Sequence, residues 1–301
     1  MFDIAVIGAG PAGLTAAVYA RRADKTVLVI EKETFGGQIT YSPKVENYPG
    51  VISASGNEIA EKLVEQALNL GAEIEMDKIL SVKCENNVFV LKGETGEYSA
   101  KTLIIAAGSK HRQLGLDNEN DFIGKGVSYC AVCDGAFYAG QKVTVIGGGN
   151  TALQDAVMLS DLCSEVTLVQ NLDYFTGEKK LLDILKTKDN VKFITGYVVK
   201  KLEGSNELER IIIENEQGEE KTIETDGIFV AIGQQPENEI FKDLVTLNEY
   251  GYIQSDENCL TDTKGIFAAG DCRSKNVRQV TTAVADGAVA AINAAQWIAK
   301  S

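Results

Sequence analysis

With 301 residues, 45% of them hydrophobic, the chain is long enough for two domains and has the composition of a compact α/β protein. Its net charge of −14 at pH 7 argues against a general nucleic-acid binder, because neutralising phosphates needs clustered lysine and arginine. No apolar run is long enough to span a membrane, and no cleavable leader precedes the first predicted strand, so we expect no membrane association and a cytoplasmic location.

The chain opens with a strand, a glycine-rich turn, a helix and a second strand. The predicted elements are the strand 3–7, the turn Gly8-Ala-Gly10-Pro-Ala-Gly13, the helix 14–22 and the strand 27–30. In this βαβ context the first two glycines let the backbone approach a pyrophosphate, and the third lets helix and strand pack closely. Glu31 lies 18 positions after Gly13 and is expected to hold a ribose diol. Because a carboxylate repels a 2′-phosphate, this turn indicates an FAD or NAD site and not an NADP site.

A pair of cysteines comes later, in Cys130-Ala-Val-Cys133-Asp134-Gly135. Two thiols separated by two residues can close a small disulfide, and a carboxylate directly after them can carry the proton that its reduction demands. No second CxxC or CxxH follows, and His111 is the only histidine, so we expect no metal site. The pair therefore predicts thiol redox chemistry. The remaining cysteines are single and are expected to be small buried hydrophobes: Cys84, Cys163, Cys259 and Cys272.

The opening unit recurs after the cysteine pair. Its second copy consists of the predicted strand 142–146, the turn Gly147-Gly-Gly149-Asn-Thr-Ala152, the helix 153–162 and the strand 166–169. Gln170 lies 18 positions after Ala152 and so takes the place that Glu31 has in the first copy. The chain therefore contains two copies of a dinucleotide-binding fold.

The last segment carries Gly270-Asp271, then Arg278-Gln279-Val280 and an alanine-rich helix predicted over 282–299. Asp271, on a turn after a buried strand, is well placed to accept hydrogen bonds from a flavin's ribityl chain, and the next helix can face the flavin ring. A C-terminal segment that completes the first domain implies that the second is inserted. We predict an α/β protein with two Rossmann-like, three-layer ββα domains: an FAD-binding domain over 1–112 and 241–301, and a pyridine-nucleotide-binding-like domain over 113–240 that carries the dithiol.

These motifs together resemble the low-molecular-weight thioredoxin reductases over the whole chain. The motifs in the family's order are Gly8-x-Gly10-x-x-Gly13, Glu31, Gly36-Gly37-Gln38, Val45-Glu-Asn47-Tyr-Pro-Gly50, Cys130-x-x-Cys133-Asp134, Gly147-x-Gly149-x-x-Ala152 and Gly270-Asp271 with Arg278-Gln279. The resemblance implies bound FAD, a homodimer, and a disulfide-bearing protein such as thioredoxin as the electron acceptor.

The resemblance also implies roles for single residues. Cys133 would lie nearest the flavin, Cys130 would attack the substrate disulfide, and Asp134 would be the acid/base. Rotation of the inserted domain would use hinges near 110–116 and 233–238. The residues expected to contact FAD are Gly8, Gly10, Pro11, Ala12, Gly13, Glu31, Lys32, Gly36, Gly37, Gln38, Asn47, Val82, Gly108, Gly270, Asp271, Arg278, Gln279 and Val280.

The second copy departs from the NADPH-dependent members of the family. Those members carry a His-Arg-Arg run after the second strand and a further arginine a few residues on, whereas this chain has Gln170-Asn171-Leu172 and Thr176. Each charge-assisted hydrogen bond to a 2′-phosphate contributes about 1.5–3 kcal/mol, so we predict that NADPH binding is weak or absent. The pattern is similar to that of ferredoxin-dependent flavin thioredoxin reductases, and we therefore expect ferredoxin as the electron donor.

Three alternatives stay open. The same dithiol could be fed by NADPH held by Lys179 and Lys180, or by NADH, although NADH sites prefer an acid at the position of Gln170. A flavoprotein oxidase of small dithiols, or a redox-sensing FAD-binding module, would also keep the cysteine pair.

An acidic ferredoxin would need a local basic patch on this acidic protein. The candidates are Arg21, Arg22 and Lys25, and Lys110, His111 and Arg112.

Overall fold

The computed structural model describes residues 1–42 and 44–300. They form two compact units, one made of 1–110 with the chain from 235 onward, the other of 111–234. The predicted boundaries at 112/113 and 240/241 lie two and six residues further along. The segment from 235 joins the first unit because Phe241 is fully buried in that unit's core and Asn238 donates hydrogen bonds to the carbonyls of Gly251 and Cys272.

The elements follow one another along the chain with short connections. Before the inserted unit they are β1 (Phe2–Ile7), α1 (Pro11–Arg22), β2 (Val27–Glu31), α2 (Gly56–Asn69), β3 (Glu73–Met76), β4 (Ile79–Glu85), β5 (Val88–Gly93), β6 (Glu97–Ile105) and β7 (Ser109–His111). The inserted unit contains β8 (Val127–Ser128), α3 (Ala131–Asp134), β9 (Lys142–Ile146), α4 (Asn150–Ser160), β10 (Glu165–Gln170), α5 (Lys179–Leu185), β11 (Val191–Thr195), β12 (Tyr197–Gly204), β13 (Leu208–Asn215), β14 (Glu220–Glu224) and β15 (Gly227–Val230). The chain then returns through β16 (Gln234–Pro236) and ends with β17 (Ile266–Ala268) and α6 (Val280–Lys300).

The first unit is built on a sheet of order β3-β2-β1-β6-β5-β4, in which β17 also pairs with β6. β1 runs parallel to β2 and β6, so that Val6 lies opposite Val29 and Ile104. Alternate residues of β1 face opposite sides. Ile4 and Val6 pack with α1 and α6, whereas Ala5 and Ile7 pack with β4 and β5. β1 therefore lies in the parallel part of the sheet, with the helices α1 and α6 on one side and the antiparallel strands β4 and β5 on the other. Its carboxyl end leads into the first glycine turn.

The second unit repeats this arrangement on a parallel sheet of order β11-β10-β9-β15-β8. One face packs with α4 and α5 through residues such as Val145 and Leu168, and the other packs with the antiparallel sheet β12-β13-β14 through Ile146 and Val169. The α/β fold with two Rossmann-like, three-layer units is thus confirmed.

The helices that follow the glycine turns begin earlier than the sequence pattern predicts. α1 starts at Pro11 and α4 at Asn150, in each case three residues before the predicted leucine. Both helices start directly after the second glycine of the turn, because residues of a first helical turn need helical dihedral angles but no intrahelical N–H bond. Pro11 suits this position because its ring presets the helical φ and its missing N–H costs nothing there.

One cysteine differs from expectation. Cys163, Cys259 and Cys272 are buried as predicted, but Cys84 is exposed. It lies near the end of the edge strand β4, two residues before the turn at Asn86 and Asn87. No helix among the described residues combines the length and apolar character that a membrane-spanning segment requires.

Candidate active site

The first glycine turn has the geometry of a phosphate cradle. Gly8 adopts a φ of +106°, which side-chain-bearing residues rarely adopt, and a Cβ placed on Gly13 would lie 1.8 Å from the carbonyl oxygen of Gly8. Gly10 is the N-cap of α1 and offers no side chain to the free N–H groups of Ala12 and Gly13. A Cβ on Gly10 would meet only the Gly36 carbonyl, at 3.9 Å, so this side of the turn is open. The turn can therefore receive a pyrophosphate at the start of α1.

Glu31 is the last residue of β2, and 8% of its surface is exposed. Its Oε2 accepts the N–H of Ala9 at 2.8 Å, and its Oε1 accepts those of Lys32 and Glu33 at 2.8 and 2.9 Å. One lone pair of Oε2 is left to accept a ribose hydroxyl, and this contact of Glu31 stays a prediction. The Lys32 ammonium forms an ion pair with Glu237.

Segments that are far apart in sequence meet beside the first turn. The N–H of Gly36 donates to the carbonyl of Ala9 at 2.8 Å. The amide of Asn47 donates to Gln279 Oε1 at 3.3 Å. Gln38 lies in the short 3-10 helix Gly37–Tyr41, and Val280 is the first residue of α6. The predicted flavin-contacting segments around residues 36, 47 and 279 are thus linked to one another or to the glycine turn.

Asp271 is a buried carboxyl with an unused oxygen. It follows Gly270, whose φ is +78°, and its Oδ1 is buried with no hydrogen-bond partner among the described residues. Burial raises the pKa of Asp271, and the positive charges of Lys275 and Arg278 oppose that rise. An orphaned carboxyl oxygen of this kind fits a ribityl hydroxyl, which would donate to it.

Arg278 is held in place by its neighbours. Its Nε makes a long hydrogen bond of 3.5 Å to the Asp271 carbonyl, and its guanidinium carbon lies 4.1 Å from the ring centroid of Tyr252. Stacking on an aromatic face suits the flat guanidinium and limits its freedom. Tyr252 is a contact that sequence reasoning missed, because no motif links it to Arg278.

Asp286 is a second missed residue and organises the Gly270–Asp271 turn. Its Oδ2 accepts the N–H of Gly270 at 3.0 Å and pairs with Lys275 at 2.8 Å, while its Oδ1 pairs with Arg273 at 3.0 Å. All three charged side chains are almost completely buried. The only signal in the sequence is an acidic residue within the alanine-rich helix α6. Asp286 thus fixes the backbone conformation of the turn that contains Asp271.

Two further predicted cofactor positions differ in what they offer. Gly108 has a φ of +69°, and nothing lies within 4 Å of a Cβ placed on it, so a ligand could approach its backbone closely. Val82 is 7% exposed, and its side chain packs in the core of the first unit. Any cofactor contact of Val82 would therefore come from its backbone.

The cysteine pair forms a disulfide in the inserted unit. Cys130 is the N-cap of α3, and its Sγ accepts the N–H of Cys133 at 3.2 Å. Both cysteines are partly exposed, and Val132 between them is 58% exposed. Burial raises the pKa of Cys163 to about 11 and those of Cys259 and Cys272 to about 12, which keeps these thiols protonated and inert. Of the described cysteines, Cys130 and Cys133 are the two that form a disulfide, and Cys84 is the exposed single thiol.

Asp134 directly follows the disulfide and is bonded through one oxygen only. Its Oδ2 accepts the hydroxyl of Ser128 at 2.6 Å, whereas its Oδ1 is buried and has no partner among the described residues. Burial raises the pKa of Asp134, and the hydrogen bond from Ser128 opposes that rise. A buried carboxyl with one unbonded oxygen is suited both to take and to give a proton.

The chain that follows β10 packs against one side of the second glycine turn. The N–H groups of Thr176 and Gly177 and the hydroxyl of Thr176 all donate to the Gly148 carbonyl, at 2.9, 2.9 and 3.2 Å. A Cβ on Gly177 would lie 3.0 Å from the carbonyl carbon of Gly149. Gln170 is 5% exposed, and a Cβ on Gly148 would lie 2.4 Å from its amide carbon. The Gly148 side of the turn is therefore packed against protein, whereas a Cβ on Gly149 would meet only the Thr176 hydroxyl oxygen, at 3.9 Å, so the Gly149 side is as open as that of Gly10.

A carboxylate stands at the start of α4. The N–H of Glu178 donates to Asn150 Oδ1 at 2.7 Å, and Asn150 Nδ2 donates to Glu178 Oε1 at 3.3 Å. A negative charge anchored at the first residue of this helix opposes the binding of a phosphate there. Lys179 and Lys180 begin α5 and are exposed. Within the described residues no group of histidine, cysteine and acidic side chains is arranged to hold a metal ion.

Comparison with known proteins gives a family for this site. A profile of the pyridine nucleotide-disulphide oxidoreductases matches residues 2–287. The chain is 44% identical to a Clostridium pasteurianum protein named "34.2 kDa protein in rubredoxin operon", with 98% of this chain and 97% of the relative covered. It is 39% identical to a thioredoxin reductase of Bacillus subtilis, with 99% and 95% covered. A solved thioredoxin reductase from Streptococcus pyogenes matches with a TM-score of 0.95 at 38% identity, with 100% and 99% covered. The chain belongs to the pyridine nucleotide-disulphide oxidoreductase family.

Proposed function

We propose that this protein is an FAD-dependent disulfide reductase that reduces thioredoxin through Cys130 and Cys133, with electrons from reduced ferredoxin. The observation that carries this proposal is the partly exposed Cys130–Cys133 disulfide. It is directly followed by Asp134, whose carboxyl has one oxygen without a hydrogen-bond partner among the described residues. The named activities of the B. subtilis and S. pyogenes relatives support thioredoxin as the acceptor over a small dithiol. We further propose that it acts as a homodimer in the cytoplasm.

FAD is the cofactor that the first unit fits best. The pyrophosphate would lie at the open side of Gly10, a ribose diol would donate to Glu31, and a ribityl hydroxyl would donate to Asp271 Oδ1. When bound, FAD supplies the capacity to accept electrons singly and to release them as a pair. The protein's part is to hold the cofactor through these contacts and to keep the Asp271 turn rigid through Asp286.

The dithiol would transfer two electrons to the substrate by two exchange steps. The Cys130 thiolate attacks a sulfur of the substrate disulfide, the substrate S–S bond breaks, and the leaving thiolate takes a proton. The Cys133 thiolate then attacks Cys130, the mixed disulfide breaks, and the second substrate thiolate takes a proton. Asp134 takes the proton from the attacking thiol and returns it to the leaving group. The substrate gains two electrons and two protons, and the Cys130–Cys133 disulfide forms again.

The second glycine turn supports a protein donor. A pyridine nucleotide would have to place its phosphates beside the Glu178 carboxylate, without any basic residue at positions 170–172 or 176. The name of the C. pasteurianum relative, which places it in a rubredoxin operon, associates one relative with a one-electron carrier. These observations favour ferredoxin over NADPH or NADH.

Few of the candidate basic residues are available for an acidic ferredoxin. Arg21 donates to the carbonyls of Leu70 and Lys25, and Lys110 pairs with Glu33 and Glu237. Burial lowers the pKa of His111 to about 4, so its ring is neutral at pH 7. Arg22, Lys25 and Arg112 are the candidates left to attract the donor.

Thioredoxin reduction can be tested without choosing a donor. The holoenzyme is reduced anaerobically with dithionite, freed of excess reductant, and mixed with the disulfide form of a bacterial thioredoxin. We expect two thioredoxin thiols to appear for each pair of electrons that the enzyme loses. If the enzyme stays reduced and no thioredoxin thiol forms, thioredoxin is not the acceptor.

A further inference from the structure

One buried hydroxyl connects the dithiol to its acid. Ser128 ends β8, two residues before Cys130, and is 5% exposed. Its hydroxyl donates to Asp134 Oδ2 at 2.6 Å, and its Oγ accepts the N–H of Cys130 at 3.1 Å. Ser128 therefore contacts both the cysteine backbone and the carboxyl that would move the proton.

The single hydrogen of the Ser128 hydroxyl has two acceptors within reach. The Asp134 Oδ2 lies at 2.6 Å and the Cys130 carbonyl oxygen at 3.4 Å. The Cys130 N–H can only donate, so Ser128 Oγ is the acceptor of that bond and keeps its own hydrogen for another partner. The shorter, charge-assisted bond to Oδ2 takes that hydrogen. As long as the Ser128 hydrogen points at Oδ2, that oxygen is an acceptor and a proton that arrives at Asp134 binds the other oxygen.

We propose that Ser128 is a positioning residue that places the exchangeable proton of Asp134 on Oδ1. This oxygen is buried and has no partner among the described residues, so it is the site left for a proton to bind. In the thiol exchange, Oδ1 takes the proton of the attacking thiol and gives it to the leaving thiolate, while Ser128 keeps its own hydrogen throughout. The inference rests on the proposed acid/base role of Asp134 and adds which atom carries the proton.

Among the groups around Asp134, Ser128 provides the hydrogen bond that favours the charged form of the carboxyl. Burial raises the pKa of Asp134, and the Ser128 bond is the one opposing interaction. Two other titratable groups lie on neighbouring elements. Tyr138 follows on the next turn, and its pKa is raised to about 12 by burial and by the Asp134 charge. Asp155 lies on α4, which packs against α3, and burial raises its pKa to about 6. Neither gives Asp134 a hydrogen bond.

The test is an infrared titration of the oxidised holoenzyme, in which the Asp134 carboxyl band is obtained by subtracting the spectrum of Asp134→Asn at each pH. In Ser128→Ala the band should appear at a pH roughly one unit higher than in the wild type, because the charged form loses a hydrogen bond. Its C=O stretch should also move to higher wavenumber, because Oδ2 no longer accepts a hydrogen bond. Ser128→Thr keeps the hydroxyl and should restore both the midpoint and the stretch. Retained FAD absorbance shows that each variant is folded.

The outcomes separate this inference from the proposed function. An unchanged midpoint or stretch in Ser128→Ala overturns the role of Ser128, whatever the activity. A displaced midpoint and stretch, rescued by threonine, support it even if thioredoxin proves not to be the acceptor. If thioredoxin is reduced, the acid limb of the pH–rate profile of Ser128→Ala should move upward by the same amount as the infrared midpoint. A limb that stays in place contradicts the proposed use of the Oδ1 proton.

Discussion

Replacing Cys130 by serine should lower thioredoxin reduction by more than about 1,000-fold while FAD stays bound and reducible. A serine hydroxyl is not ionised near neutral pH, and it cannot form the mixed disulfide that the exchange requires. The measurement is the yield of thioredoxin thiols from enzyme reduced with dithionite, together with the visible spectrum of the flavin. The hydrogen bonds of Cys130 with Ser128 and Cys133 lie within the inserted unit, so we expect the FAD cradle of the first unit to be unaffected.

Cys84→Ser is the matched control, because Cys84 is an exposed single cysteine on β4. It should leave both thioredoxin reduction and the flavin spectrum unchanged. Persistent turnover by Cys130→Ser would remove the dithiol from the mechanism. A loss of activity in Cys84→Ser as well would show that the assay responds to any cysteine that is lost.

Replacing Asp286 by asparagine should destabilise the first unit and weaken FAD binding. Asp286 balances the nearly buried charges of Arg273 and Lys275 and holds the N–H of Gly270. Removing one partner of a buried ion pair typically costs about 3–5 kcal/mol, because the remaining charges are left uncompensated. We expect a lower urea midpoint and loss of FAD during gel filtration, measured against the wild-type holoenzyme.

Two further variants test the cause of this effect. Combining Asp286→Asn with Lys275→Met should recover part of the lost stability, because one uncompensated cation is removed. Glu239→Gln breaks the exposed ion pair with Lys242 and should behave as the wild type. An Asp286→Asn protein that keeps its FAD and its urea midpoint would show that Asp286 does not support the Asp271 turn.

Short-range patterns in the sequence were enough to predict the parts of the site that are built from neighbouring residues. The glycine turns, Glu31 and the Cys130–Cys133 pair each depend on spacings within one βαβ unit or one helical turn. The structure contains the turns and the disulfide, and the roles of these residues towards cofactor and substrate stay predictions. The two-unit fold followed from the repetition of the same pattern. Helix starts were predicted late, because a first helical turn such as Pro11–Gly13 carries no apolar periodicity.

The residues that sequence reasoning missed act across larger separations. Asp286 contacts Gly270 from 16 residues away, and Tyr252 receives Arg278 from another part of the chain. Ser128 and Glu178 are common residue types at positions that no sequence motif marks. Their importance is visible only from their hydrogen bonds with Asp134 and Asn150. Such contacts depend on how the elements pack, which spacing alone does not specify.

The identity of the electron donor is the most direct test, because the retained dithiol and a second turn that has Glu178 beside it and no basic residue at positions 170–172 or 176 together predict a protein donor. The measurement is anaerobic stopped-flow recording of the flavin absorbance after mixing the holoenzyme with reduced ferredoxin, NADPH or NADH. Two equivalents of reduced ferredoxin should bleach the flavin, whereas neither nucleotide should do so on the same timescale even at a large excess. Rapid and stoichiometric bleaching by a low concentration of NADPH or NADH, with no response to ferredoxin, would contradict the account.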